Sequence, residues 1–261
     1  MKDDDGHLSG SFYFPAPGSQ AVVILVHGLT GGPNDMRPLA EFLQAQGLNV
    51  FGVKLAGCGV SWEALSHIYY YQLWESVEAP LKNYLAQNKN IFLIGYSFGG
   101  DLALELAYKY QHHRQLRGVI TLGLSVFFKY DWFFRCLVFG LEKIKGSRFY
   151  SWLDQIMRSW AIKRPVGIIP FSTFSQVYKF IDRYTKKAIP QFRPGALLIH
   201  SLADELSQAY GSMYVYERLR SKDKELFLLE GTDHLAANQG NRQIVFAKIL
   251  EFIQKRLKDN K

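Results

Sequence analysis

The chain has 261 residues, 48% of them hydrophobic and 21% charged, with 31 Lys and Arg against 23 Asp and Glu for a net charge of +8. That is enough apolar material for a full buried core, and it excludes extended disorder. The two cysteines, Cys58 and Cys136, lie far apart with no Cys-x-x-Cys, which excludes a disulfide framework and a cysteine-built zinc site.

The chain opens on a polar, acidic stretch, Met1 to His7, whose chemistry is wrong for a signal peptide. Ala21 to His27 is a continuous apolar run, as expected of a strand buried on both faces. A loop from Gly28 to Pro33 follows, then helical spacing from Asn34 to Gln46, closed by Gly47. Leu48 to Lys54 reads as a strand, Ala56 to Gly59 as a loop, Tyr70 to Gln87 as a helix and Ile91 to Ile94 as a short buried strand. Next come a helix from Phe98 to Tyr110 and a strand from Gly118 to Leu122. The alternation resumes with a strand at Gly195 to His200, a helix at Ser207 to Leu219, a strand at Glu225 to Leu229 and a helix at Gln243 to Arg256. Strands alternating with helices imply parallel crossovers, hence an α/β fold with a doubly wound, mostly parallel sheet.

The alternation breaks between Val126 and Pro194. This stretch is too long for a connection and holds 17 aromatic residues. It also carries 13 Lys and Arg against 4 Asp and Glu, a balance of +9 that accounts for all of the excess positive charge. Helices at Phe149 to Ala161 and Thr173 to Lys186 fit inside it. It reads as a helical cap, residues 126–194, inserted into a core made of 1–125 and 195–261. Its most aromatic part, Val126 to Leu141, is broken by Lys129, Asp131 and Arg135, whereas crossing a bilayer takes about 20 mostly apolar residues.

Gly95-Tyr-Ser97-Phe-Gly99 fits Gly-x-Ser-x-Gly and sits between a strand and a helix. Three fixed positions are weak evidence alone; their placement gives them weight. A serine in such a strained turn is pushed out above the sheet, and the first amides of the next helix point at the reacting centre. Ser97 is thus the candidate nucleophile, and it needs a base to take its proton.

Of seven histidines, His234 is the best candidate base. It follows the last strand in Gly231-Thr-Asp-His234, at the carboxyl end of the sheet where Ser97 emerges and where ligands of such sheets bind. His200 reads as a strand-end histidine with its bonds satisfied. Asp204, after the penultimate strand, gives the chain order Ser, Asp, His and is the candidate acid; Glu205 and Asp233 compete with it. His27-Gly28, ending the first buried strand, marks the second half of an oxyanion hole, with the backbone N–H groups of Leu29 and Phe98 as donors. His27 itself reads as structural, fixing its loop.

Leu25-Val-His-Gly-Leu-Thr-Gly31, Leu55-Ala-Gly-Cys-Gly59, Leu93 through Gly100, Ala203-Asp-Glu205 and Gly231 through His234 together resemble the bacterial carboxylesterases and monoacylglycerol lipases of the α/β-hydrolase superfamily. The resemblance covers most of Val22 to Arg256. It implies a Ser97–Asp204–His234 triad, no cofactor and a cap that shapes the acyl site; no metal is expected, because no metal-ligand cluster stands in the sequence. Two departures stand out. The loop at Gly57-Cys58-Gly59 commonly carries His between the glycines, and the basic, aromatic cap matches no familiar relative.

The expected activity is hydrolysis of a carboxylic ester with a hydrophobic acyl group, through an acyl-enzyme. Alternatives are a thioesterase or amidase on the same triad, or a non-catalytic ligand-binding protein of the same fold. The expected partner is a small-molecule or lipid ester. No nucleic-acid motif is present, so a nucleic-acid partner is not expected. The expected location is cytoplasmic; the basic residues of the cap read first as a solvated face that keeps its aromatics soluble, with peripheral docking on an anionic membrane as the alternative.

Overall fold

The computed structural model describes residues 10–141, 152–153, 155–159, 169–230 and 241–258. Seven strands form one sheet: β1 (Phe12–Phe14), β2 (Ala21–Val26), β3 (Asn49–Val53), β4 (Asn90–Tyr96), β5 (Leu116–Leu122), β6 (Ala196–Ser201) and β7 (Lys224–Leu229). Their order across the sheet is β1-β3-β2-β4-β5-β6-β7. Every pairing is parallel except β1 on β3, so the sheet is mostly parallel, as the alternation predicts.

The unbroken apolar runs have a direct structural cause. In β2 all six residues are buried, but alternate ones belong to different cores. Val22, Ile24 and Val26 join the cluster that contains Leu73 and Val77 of α3 (Tyr70–Ala86) and Leu102 and Leu106 of α4 (Phe98–Lys109). Val23 and Leu25 join the cluster that contains Leu39 and Leu43 of α1 (Arg37–Ala45) and Ile249 and Phe252 of the C-terminal helix, Arg242–Lys258. A strand covered on both faces has no polar side to show.

Several elements differ from the sequence expectation. The edge strand β1 and the short helix α2 (Trp62–Ser66) are additional. The expected helix at Asn34 to Gln46 begins with a 3₁₀ turn, Pro33–Met36, before α1. Within the insertion, α5 (Asp131–Leu141) forms where only an aromatic-rich stretch was read. Residues 155–159 are helical, within the expected Phe149 to Ala161. The expected helix at Thr173 to Lys186 is instead α6 (Phe171–Phe180) followed by a π-helical turn, Ile181–Thr185. Among the described residues no helix is long and apolar enough to cross a membrane.

The insertion is anchored to the core by aromatic and ionic contacts. Phe180, fully buried, packs edge-on against Phe98 and Trp74; burying such a side chain contributes roughly 1.5–3 kcal/mol. Arg135 pairs with Asp131 at 2.5 Å and with Asp182, and its guanidinium lies over the Tyr178 ring. Lys186 pairs with Asp182 at 2.8 Å. Part of the positive charge of residues 126–194 is therefore consumed in holding the segment's own helices together. The helix between β6 and β7, α7 (Ala209–Arg218), and the C-terminal helix, α8, complete the layers.

Candidate active site

Ser97 sits at the junction of β4 and α4 with φ 52° and ψ −128°, a conformation rare for a residue with a side chain. The turn is held from both sides. Ser97 N–H donates to Leu122 O at 2.8 Å, and Gly100 N–H donates to Ser97 O at 2.8 Å. The flanking glycines are required by close backbone approach. A Cβ on Gly95 would lie 2.1 Å from Gly99 O, and one on Gly99 would lie 2.5 Å from both His27 O and Val26 O. The β2 exit and the Ser97 turn are thus pressed together, and a Cβ on Gly28 would stand 3.3 Å from Ser97 Cβ.

His27 fixes this junction. It is fully buried; its Nε2 accepts the Leu55 N–H at 3.2 Å, which leaves Nδ1–H to donate to Gly28 O at 2.7 Å. Burial pushes its pKa down to about 4. Gly28 O shares its peptide unit with Leu29 N, so this bond orients the amide expected to be one oxyanion donor. In the loop after β3, the Cys58 thiol is buried and pushed up to about 12 by loss of water.

The Asp204 side chain is 1% exposed despite lying in a loop. Its Oδ1 accepts the Leu206 and Ser207 amides at 2.8 and 3.0 Å, and its Oδ2 accepts from Ser207 Oγ at 2.8 Å and His200 Nε2 at 3.2 Å. His200 is satisfied as expected: Nε2 faces two acceptors, Asp204 Oδ2 and Ser207 O, so it carries the proton, and Nδ1 accepts from Ser212 Oγ at 2.7 Å. Glu205, the neighbouring competitor, is exposed. His234 and Asp233 lie outside the described residues.

Ser97 and Asp204 lie at the carboxyl ends of β4 and β6, with β5 between them. The loop that carries Asp204 is stitched to the start of the insertion by Lys129 N–H to Leu206 O and Gln208 N–H to Phe127 O. A pocket opens over Ser97. Its floor is Gly28, Leu29, Ser97, Phe98 and Ser125, and its walls come from insertion residues such as Phe128, Phe174 and Val177. An apolar wall above a serine accommodates an apolar substituent and keeps water away from it.

Two residues here were not anticipated from the sequence. Ser125 Oγ lies 3.1 Å from Ser97 Oγ, and Ser125 N–H donates to Asp101 Oδ2 at 3.1 Å. Asp101 is fully buried, and loss of water pushes its carboxyl up to about 8, with the Ser125 N–H pulling it partly back. Its Oδ1 has no hydrogen-bond partner among the described residues. Only the position of Ser125 just beyond a parallel strand hinted that it could reach the site.

A doubly wound, mostly parallel sheet, a strained serine between strand and helix, and a helical insertion over that serine define an α/β-hydrolase. A family model described as Hydrolase_4, serine aminopeptidase, S33, matches residues 17–240, and the chain belongs to that family. It is 26% identical over 254 residues to a thermostable monoacylglycerol lipase of Bacillus sp. (strain H-257), covering 95% of this chain and 96% of that protein. It is 24% identical over 263 residues to a monoglyceride lipase of Saccharomyces cerevisiae, covering 88% and 83%. Among solved structures, a soluble variant of that yeast lipase in complex with a substrate analogue superposes with a TM-score of 0.75 at 19% identity, covering 94% and 91%.

Proposed function

We propose that this protein hydrolyses carboxylic esters bearing a hydrophobic acyl group, with Ser97 as nucleophile, His234 as base and Asp204 as the acid that orients it. The observation that carries this is Ser97 itself, held at φ 52° at the start of α4 beneath an apolar pocket. Ser97 Oγ attacks the ester carbonyl as His234 takes its proton, and His234 returns that proton to the departing alcohol. Water then releases the acid by the same route. The N–H groups of Leu29 and Phe98 hold the oxyanion. Residues 126–194 act as the cap that shapes the acyl pocket, and 1–125 with 195–261 as the catalytic core.

Ester rather than amide chemistry is supported by the relatives that match along nearly the whole chain, a monoacylglycerol lipase and a carboxylesterase, whereas the proline iminopeptidases match 41% of it. The test is labelling with a fluorophosphonate, followed by a panel of p-nitrophenyl esters and monoacylglycerols of graded length. The reading requires label on Ser97 and turnover that rises with acyl length. An unlabelled Ser97 ends it.

The cap also supports peripheral contact with an anionic membrane. On α5, Trp132, Phe133 and Phe139 are 77%, 55% and 42% exposed, and basic residues surround them in sequence. Aromatic side chains settle at the headgroup level, and each nearby basic residue contributes about 1 kcal/mol at an anionic surface.

A further inference from the structure

The nucleophile has a second hydroxyl beside it. Ser125 lies three residues beyond the end of β5, where the chain turns through Gly123 (φ 61°) into the cap. It is 1% exposed, yet it lines the floor of the pocket above Ser97. Its main chain is fixed by the bond from Ser125 N–H to Asp101 Oδ2, and Asp101 stands on α4 one helical turn after Ser97. The strand that brings Ser125 in and the helix that carries the nucleophile are thereby locked together at this point.

The Ser125 hydroxyl has one hydrogen-bond partner among the described residues, Ser97 Oγ at 3.1 Å. Either oxygen can donate in such a pair, but the chemistry of attack decides which. The Ser97 proton must leave toward the base, so the Ser125 O–H is the donor and a Ser97 lone pair the acceptor.

We propose that Ser125 is a further catalytic residue, donating its hydroxyl hydrogen to Ser97 Oγ and easing departure of that oxygen from the acyl-enzyme. The inference rests on Ser97 being the nucleophile. During release, water loses a proton to the base and its oxygen bonds to the acyl carbon. The bond from that carbon to Ser97 Oγ then breaks, the electron pair passes to Oγ, and the base returns its proton there. Ser125 keeps its own proton throughout and steadies the charge that builds on Oγ. A hydrogen bond to a group gaining negative charge strengthens as the charge grows. The same bond occupies a lone pair during attack, so it offers acylation no comparable help. The effect falls on one half of the cycle.

Ser125→Ala therefore leaves fluorophosphonate labelling of Ser97 within about threefold of the parent rate or faster, while deacylation slows roughly 10- to 100-fold. Rapid mixing with a p-nitrophenyl ester then gives a burst of one p-nitrophenol per enzyme that the parent lacks or shows only weakly. Mass spectrometry finds the acyl group on Ser97. Ser125→Thr keeps the hydroxyl and restores turnover without the burst. Turnover and burst in Ser125→Ala identical to the parent overturn the proposal. So does an equal fall in labelling and deacylation, the signature of loosened packing alone. Absence of label in the parent protein is a different outcome, which removes Ser97 as nucleophile.

Discussion

Replacing Asp101 by Asn tests the electrostatics of the site without touching the serine. Asp101 is fully buried, and its carboxyl is pushed from 3.8 to about 8 by loss of water. In the unfolded chain such a group has lost its proton by pH 5, whereas the folded protein holds it until about pH 8. The folded state binds the extra proton across that window, so stability falls as pH rises through it. One bound proton of difference is worth about 1.4 kcal/mol per pH unit, so Asp101 removes up to about 4 kcal/mol between pH 5 and pH 8. Asp101→Asn keeps an oxygen for the Ser125 N–H but does not titrate. The variant should therefore gain on the parent steadily as pH rises. Glu105, one turn further along α4, is likewise raised by burial to about 7, but it is present in both proteins and cancels. Guanidinium unfolding of both proteins at pH 5, 6, 7 and 8 gives the difference directly. Parallel stability curves over that range refute the reasoning, as does an advantage that shrinks with pH.

Ser97→Ala should reduce ester turnover by roughly 10⁴-fold or more while the protein still unfolds cooperatively; retention of a tenth of the activity removes Ser97 from the mechanism. Asp204→Asn, which disturbs a carboxylate accepting four hydrogen bonds, should cost ~10³–10⁴-fold in turnover, and Asp233→Asn much less. The opposite ranking in purified variants assigns the acid to Asp233. Co-sedimentation with phosphatidylglycerol vesicles should exceed that with phosphatidylcholine, and Trp132→Ser with Phe133→Ser should weaken it. Equal binding to both lipids, unmoved by the substitutions, ends the membrane reading.

The alternation of strands and helices, the position of Ser97 between β4 and α4 and most helix limits were legible in the sequence, because each depends on neighbours a few residues apart. Tyr70 to Gln87 is nearly the span of α3, and Phe98 to Tyr110 nearly that of α4. A buried parallel strand announces itself as an apolar run, since both its faces are covered.

What escaped the sequence depends on partners far along the chain. β1 is three residues long and exists only because β3, nearly forty residues later, offers it an edge. The π turn at Ile181–Thr185 interrupts a pattern that reads as one continuous helix, where this segment packs back onto α4. α5 leaves Trp132 and Phe133 exposed while Val138 is buried, a division that no count of aromatics reveals. The sequence puts Asp204 forward with Glu205 competing beside it; only the fold buries the Asp204 side chain among four donors and leaves Glu205 in solvent. Ser125 and Ser97 are 28 residues apart, and nothing local marks them as a pair. Residue type and spacing determined that this chain would carry a serine on a strained turn above a parallel sheet. Which hydroxyls and carboxylates surround that serine was decided by the crossing of distant segments, because a hydrogen bond reaches only about 3 Å and the chain meets itself at that range only once folded.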